Sequence, residues 1–98
     1  MSVSNIEEKT RALIVRNPKY REILERIVKV EEEAEKGHHK DAESIKSLGW
    51  EWYHVQAYPA ELMKLVREGI IEITYKSRKY THYKLKDREA VKRVLEKP

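Results

Sequence analysis

The residues best suited to binding a ligand are cations in the last third of the chain. From Ile73 to Lys86 there is no acidic residue, and there are five basic ones, namely Lys76, Arg78, Lys79, Lys84 and Lys86. Three tyrosines lie among them: Tyr75, Tyr80 and Tyr83. Cations on a short loop can neutralise the phosphates of a nucleic acid or enter a minor groove, and an exposed tyrosine can stack on a base. The alternative is an ordinary solvated hairpin whose lysines keep an edge strand from pairing with other chains.

Alternating polarity predicts that these cations lie on a two-stranded hairpin. The inward positions are Ile71, Ile73 and Tyr75 on the first strand and Thr81, Tyr83 and Leu85 on the second. The polar segment 76–79 between them has the length of a hairpin loop. The same alternation places Tyr80, His82 and Lys84 on the outer side, so Tyr80 is the tyrosine that we expect to contact a ligand.

Helical spacing of apolar residues and capping signals predict five helices around the hairpin. They cover residues 5–16, Pro18 to Gly37, Asp41 to Gly49, residues 59–68 and Asp87 to Leu95. Ser4 and Glu7 have the spacing of a capping box. The candidate N-caps of later helices are Asn17, Asp41 and Asp87. The acidic run at 31–35 is expected to form a solvated helix face.

The order of these elements, helix, short helix, helix, hairpin and helix, resembles the winged-helix superfamily over about residues 18–95. Two stretches carry the resemblance: the step from helix to strand at 65–72, Leu-Val-Arg-Glu-Gly-Ile-Ile-Glu, and the later Tyr-Lys-Leu triplet. In the first stretch, Gly69 is expected to take the left-handed helix exit. The resemblance implies one α+β, mainly helical domain over residues 1–98, with an extra N-terminal helix, a wing hairpin at about 70–86 and a C-terminal helix. Winged helices bind DNA, RNA or other proteins, so the fold alone does not define the function.

The charge distribution departs from the usual winged-helix pattern, in which the third helix enters the major groove and the wing touches the backbone. Residues 41–69 carry 3 basic and 5 acidic residues, a net charge of −2, whereas residues 70–98 carry 9 basic and 4 acidic residues, a net charge of +5. The helix that would enter the groove carries Glu61 and Glu68 and few of the side chains that read base edges. The sequence therefore predicts weak sequence preference and binding mainly through the wing.

The resulting expectation is a nucleic-acid-binding domain, with duplex DNA as the expected partner. The primary contacts would be Lys76, Arg78, Lys79 and Tyr80, and the secondary contacts would be Lys84, Lys64 and Arg67. The cations of the last helix, Arg88, Lys92 and Arg93, either extend this surface or form a solvated face with Glu89 and Glu96. Such a domain would be a free-standing transcription regulator, a homodimer through the helix at 5–16, or an accessory module of a larger DNA-processing ATPase or helicase.

The segment from Trp50 to Tyr58 is rich in large rings and supports an alternative function. Trp50 follows a helix exit and is expected in the core, whereas Trp52 and Tyr53 cannot both point inward if the segment is extended. Pro59 ends this segment, because it fits the first turn of a new helix. Exposed aromatic residues are frequent at interface hot spots. The alternative is therefore a protein-docking domain with Trp52, Tyr53 and Tyr58 as anchors.

Composition excludes several kinds of site. The 98 residues include no cysteine, which excludes disulfides, thiolate metal sites and a cysteine nucleophile. His38 and His39 are adjacent, and neither they nor His54 and His82 have the i, i+4 spacing of a helical metal site. No serine lies in a nucleophile elbow, and isolated glycines cannot form a phosphate-binding loop. We therefore expect no metal, no cofactor and no enzymatic activity.

Composition also bears on location. Charged residues make up 39% of the chain, the formal net charge is +4, and no apolar run approaches the length of a membrane span. The N-terminus lacks the basic flank and apolar stretch of a secretory signal. We expect a cytoplasmic protein. The abundance of Lys and Glu with few Asn and Gln resembles proteins from very hot environments.

Overall fold

The computed structural model describes residues 5–96, and its elements follow the order that the sequence predicts, with one additional helix. The described residues form the helices α1 (Asn5–Arg16), α2 (Lys19–Glu35), α3 (Ala42–Leu48), α4 (Trp52–Val55), α5 (Pro59–Arg67) and α6 (Arg88–Glu96), and the strands β1 (Ile71–Lys76) and β2 (Thr81–Leu85). The expected α+β, mainly helical fold is confirmed. The two strands pair into one antiparallel sheet.

The long helix α2 is the centre of the fold and contacts α1, α3, α4, α6 and β2. Its apolar residues recur every three or four positions and form a buried stripe: Tyr20, Ile23, Leu24, Ile27 and Val28. Leu62 and Leu65 of α5 are fully buried in the same core. Removal of these side chains from water favours folding, and it holds α5 and the hairpin against α2.

Gly69 produces the abrupt change from α5 to β1 that the sequence predicts. Its φ is +78°, in the left-handed region that glycine adopts without steric cost. Its backbone N and that of Ile70 each donate a 3.0 Å hydrogen bond to a carbonyl of the last helical turn, which is the Schellman pattern. Ile70 and Ile71 therefore enter the core immediately after the helix.

The predicted N-caps have different outcomes. Asp87 caps α6, because its Oδ1 atom accepts a 3.1 Å hydrogen bond from Ala90 N. Asn17 does not cap α2 with its side chain, since the helix follows Pro18 and has no side-chain cap. Ser4 of the predicted capping box lies outside the described residues.

The four-residue helix α4 lies within the aromatic segment and is absent from the sequence prediction. His54 connects its start to a neighbouring element. The Nδ1 atom of His54 accepts a 2.9 Å hydrogen bond from Glu51 N, so the ring proton is on Nε2, which donates to Asp41 Oδ2 at 2.9 Å. Asp41 occupies the N-cap position of α3 as predicted, but its side chain makes no capping hydrogen bond, because its carboxylate binds His54 instead. Gln56 then ends α4 in the left-handed conformation, with φ 54°.

The hairpin contains a β-bulge at Thr74. Ile73 is opposite Tyr83, whereas Tyr75 is opposite His82, so Thr74 is the extra residue of β1. One extra residue moves all later side chains of a strand to the other face. Tyr75 therefore shares a face with His82, with ring centroids 5.5 Å apart, and not with Tyr83.

The burial of the strands corrects two predictions from the alternating pattern. Within β1 only Ile71 is buried, and Ile73 and Tyr75 are 36% and 42% exposed, so the expected half-buried strand is wrong beyond its first residue. His82 is buried instead of facing outward. The reason is a 2.8 Å hydrogen bond that His82 Nδ1 donates to Gly49 O.

The segment after α3 lies against β2 at close range. Trp50 and Tyr83 form an antiparallel bridge with N···O distances of 3.0 and 2.8 Å, and their rings stack with centroids 5.3 Å apart. The expected burial of Trp50 and Tyr83 is confirmed. Gly49 permits this approach, because its φ is +115° and a Cβ there would lie 2.5 Å from Tyr83 O. Thr74 Oγ1 adds a hydrogen bond to Leu48 O.

Candidate nucleic-acid interface

The tip of the hairpin is the loop 77–80, which is closed by its own hydrogen bonds. Ser77 N donates to Tyr80 O at 2.8 Å, and Tyr80 N donates to Ser77 Oγ at 3.2 Å. Arg78 and Lys79 lie between these residues and are exposed. The closed loop therefore presents two adjacent cations at the end of the sheet.

The cations at and before the loop have no carboxylate partner. Within residues 5–96, Lys76, Arg78 and Lys79 are exposed and form no ion pair, and we call these three residues the hairpin cations. Unneutralised charges on a protruding element attract external anions. Tyr80, which follows them, is 52% exposed, as the strand pattern predicts.

The secondary candidates are engaged to different degrees. Lys84 Nζ donates a 3.1 Å hydrogen bond to Lys46 O, so it binds the end of α3. Lys64 Nζ lies 3.4 Å from Glu68 Oε2. Arg67 is exposed and has no ion-pair partner in the described part of the chain. Arg67 is therefore available to an external anion, whereas the other two already have partners.

The cations of α6 are paired with carboxylates of α1 and α2. The pairs are Arg88 with Glu35 at 2.7 Å, Lys92 with Glu32 at 2.6 Å, and Arg93 with Glu7. The hydrogen bond from Lys92 lowers the pKa of Glu32 and raises that of Lys92. The main partners are distant in sequence instead of the expected Glu89 and Glu96, although Lys92 also lies 4.0 Å from Glu89. These cations therefore do not extend the positive surface of the hairpin.

The acidic run of α2 is not the solvated face that the sequence suggests. Glu31 Oε2 accepts hydrogen bonds from Trp50 Nε1 and Leu85 N, both at 2.8 Å, and Glu31 Oε1 lies 3.4 Å from Arg88 Nη1. Burial raises the pKa of Glu31, and these hydrogen bonds oppose that shift. The run therefore ties α2 to β2 and α6, and it engages the cations of α6 but not those of the hairpin.

The two carboxylates at α5 are themselves partly neutralised. Glu61 lies 3.1 Å from Lys19 Nζ and accepts a 2.9 Å hydrogen bond from Tyr58 N. That backbone hydrogen bond is the main cause that lowers the pKa of Glu61. Glu68 lies 3.8 Å from Arg16 Nη2. As a result, α5 repels phosphate less than its composition indicates.

Three exposed rings lie on α4 and in the turn after it. Trp52, Tyr53 and Tyr58 are 49%, 50% and 73% exposed. Together with two neighbours they line a shallow depression of about 310 Å³, which we call the aromatic hollow: Trp52, Tyr53, Gln56, Ala57 and Tyr58. The hydroxyl of Tyr53 donates a 2.8 Å hydrogen bond to Glu51 Oε2, which raises the pKa of Tyr53 to about 12. This tyrosine is therefore held in place by its hydroxyl while its ring stays half exposed.

Neither metal-ligand clusters, nor membrane-spanning helices, nor similarity to known proteins indicates a function for the described residues. Within residues 5–96, no group of three or more His, Asp or Glu side chains is arranged to hold a metal ion. No helix in this same range is both long and apolar enough to cross a membrane. Comparisons with protein-family models, with curated proteins and with solved structures find no match to this chain. The function must therefore be inferred from the geometry of the hairpin and its neighbours.

Proposed function

We propose that this protein is a winged-helix domain that binds duplex DNA and grips the phosphate backbone mainly through the hairpin β1–β2. The observation that carries the proposal is the exposed end of the hairpin with Lys76, Arg78 and Lys79, none of which has a carboxylate partner within residues 5–96. Each phosphate that such a cation neutralises releases condensed counterions, and this release supplies most of the non-specific affinity for a polyanion.

The order of the elements supports the winged-helix assignment. Helices α3, α4 and α5 precede the hairpin, and Trp50 bridges to β2 from the segment between α3 and α4. The connection between α4 and α5, residues 56–58, has the length of the turn in a helix-turn-helix motif. In this arrangement α5 takes the place of the helix that lies in the major groove, and the hairpin takes the place of the wing.

The composition of α5 supports backbone binding more than base reading. Its exposed residues include Ala60, Met63 and Arg67, and the helix contains no Asn or Gln, the side chains that read adenine. Arg67 and the partly paired Lys64 add phosphate contacts, which position a protein on the duplex without selecting a sequence. Weak sequence preference follows, which suits a free-standing regulator or an accessory module of a DNA-processing ATPase or helicase.

A fluorescence-anisotropy titration of a labelled duplex at several salt concentrations tests the proposal. Replacement of Lys76, Arg78 and Lys79 together by alanine should reduce the slope of log affinity against log salt by about 2.7 in magnitude, at about 0.9 for each phosphate contact. The affinity at moderate salt should fall with it.

A triple alanine variant of Arg11, Lys29 and Lys36 is the matched control. Arg11 lies on α1, Lys29 on α2, and Lys36 directly after α2. All three are exposed, and they too have no ion-pair partner in the described residues. The control removes the same net charge, and its salt slope should equal that of the wild type. Equal effects of the two triple variants, or binding that does not depend on salt, would contradict the proposal.

A second candidate function is docking to another protein through the aromatic hollow. The exposure of Trp52, Tyr53 and Tyr58, between 49% and 73%, favours it, because large exposed rings are enriched at interface hot spots. Under this function Trp52→Ala should weaken association with a partner or a second copy. The salt-dependent binding of duplex DNA should then be absent in the wild type as well.

A further inference from the structure

The aromatic hollow lies beside the hairpin, and side-chain contacts connect the two. The Glu51 oxygen that accepts the hydrogen bond of Tyr53 also lies 3.8 Å from His82 Nε2 on β2. His82 in turn lies against the exposed ring of Tyr75 on β1, with ring centroids 5.5 Å apart. The hollow on α4 is therefore packed against the hairpin through the buried side chains of Glu51 and His82.

The lining of the hollow suits a flat, uncharged ring. Trp52 and Tyr53 are arranged edge to face, with ring centroids 5.9 Å apart. The volume of about 310 Å³ is at the lower end of the range for small-molecule sites, which is roughly 300–1,000 Å³. None of the five lining residues is charged. Gln56 supplies a side-chain amide, which can both donate and accept hydrogen bonds.

The backbone of the hollow is fixed by α2. Arg26 Nε donates a 2.8 Å hydrogen bond to Val55 O, and Arg26 Nη2 donates a 3.2 Å hydrogen bond to Gln56 O. These contacts hold Gln56 in the left-handed conformation, which is uncommon for a residue other than glycine and recurs at binding sites. The hollow is therefore formed before any ligand binds, so binding carries no free-energy cost for ordering it.

The charges around the aromatic hollow indicate which kind of ligand it binds. An unpaired base is flat and apolar on its faces, and it stacks on exposed aromatic rings whatever its sequence. Its own strand carries the phosphates that the hairpin cations attract. The carboxylates near the hollow each accept a side-chain hydrogen bond, Glu51 from Tyr53 and Asp41 from His54. The three hairpin cations outnumber these two carboxylates, which favours a polyanion as the occupant.

We infer that the aromatic hollow receives an unpaired base of a nucleic acid whose phosphates are bound by the hairpin cations. The preferred ligand is therefore a duplex with a bulged base or a single-stranded overhang, and not a blunt duplex. This inference rests on the proposed function and adds to it the structural class of the nucleic acid.

The test compares three labelled ligands: a blunt duplex, the same duplex with one bulged adenine, and the same duplex with a short overhang. The wild type should bind the two ligands with unpaired bases about tenfold more tightly than the blunt duplex, as stacking of one base on an aromatic side chain predicts. Trp52→Ala should remove this preference and leave the affinity for the blunt duplex unchanged, whereas Trp52→Phe should keep most of it. Tyr58→Ala, at a side chain that is 73% exposed, should also lose the preference.

The possible outcomes separate the inference from the proposed function. Equal affinity of the wild type for all three ligands overturns the inference, and so does a uniform loss in Trp52→Ala across them. A Trp52→Ala variant that changes only self-association in sedimentation assigns the hollow to protein docking and overturns it too. If the triple variant of the hairpin cations weakens none of the complexes, the proposed function fails together with the inference. The buried Trp50 serves as the folding control in the Trp52 variants, where it is the one remaining tryptophan of the sequence, and far-ultraviolet circular dichroism serves as the folding control in the other variants.

Discussion

Trp50 Nε1 donates a 2.8 Å hydrogen bond to Glu31 Oε2 in the interior of the protein. The same oxygen accepts a 2.8 Å hydrogen bond from Leu85 N, and the other carboxylate oxygen faces Arg88 at 3.4 Å. One carboxylate of α2 therefore satisfies donors from three segments that are distant in the chain. A buried polar group with all its partners present specifies one arrangement of the elements around it.

Replacement of Glu31 by alanine is expected to lower the free energy of unfolding by about 3 kcal/mol, because it leaves two buried donors without an acceptor and Arg88 without one of its partners. Glu31→Gln keeps an acceptor oxygen and should lie between this variant and the wild type. Urea denaturation followed by tryptophan fluorescence measures the change.

The control for this series is Glu33, a carboxylate on the same helix that has no ion-pair partner among residues 5–96. Glu33→Ala should change the free energy of unfolding by no more than about 0.5 kcal/mol. Similar losses in the two alanine variants would show that Glu31 does not have the role described.

Gly49→Ala is expected to be far more damaging than Gly37→Ala. At Gly49 the φ of +115° is a conformation that only glycine adopts readily, and the new Cβ would lie 2.5 Å from Tyr83 O, so we expect a loss of at least about 3 kcal/mol. At Gly37 the φ is +75° and no atom lies within 4 Å of the added Cβ, so only the left-handed strain of about 1 kcal/mol remains. Thermal denaturation followed by circular dichroism compares the two. Equal losses would mean that the close approach to β2 has no energetic importance.

Asp41 makes part of the stability dependent on pH. The hydrogen bond from His54 holds the pKa of Asp41 below its ordinary value of 3.8, because it favours the charged carboxylate. Since the folded-state pKa is the lower one, this contribution to the free energy of unfolding is present above pH 3.8 and is lost as the pH falls through the folded-state pKa. We expect Asp41→Asn to be less stable than the wild type at neutral pH and to converge with it in acid. Urea midpoints across that range test this, and a difference that stays constant with pH would contradict it.

Local signals in the sequence are sufficient for most element boundaries. Gly69 ends α5 and Asp87 caps α6 as predicted, because each acts on backbone atoms within a few residues of itself. The short helix α4 is not predictable in this way, since four residues are too few for a periodic pattern. Its start depends on the hydrogen bond from Glu51 N to His54 and on the contact of His54 with Asp41, a residue outside the helix.

The charge pattern of the candidate interface is predictable only in part. The sequence shows which cations are close to one another in the chain, and the hairpin cations remain exposed as expected. It does not show that the cations of α6 meet Glu32, Glu35 and Glu7, because those carboxylates are more than half the chain away. The sequence does not single out Gln56 and Ala57 either, since the aromatic hollow that they line exists only once α4 and its left-handed exit have formed.

The bulge at Thr74 determines how the hairpin could change in length. Beyond it, Tyr75 lies opposite His82 instead of Tyr83. The bulge therefore determines on which face of the sheet each later side chain of β1 lies. Deletion of Thr74 would remove the bulge and leave Tyr75 opposite His82, whereas insertion of a single residue in β1 after it would turn every later side chain of that strand to the opposite side. Related chains that keep the same surface should therefore change the length of the outer hairpin on both strands together, by two residues on each strand, because that is the period of side chains along a strand.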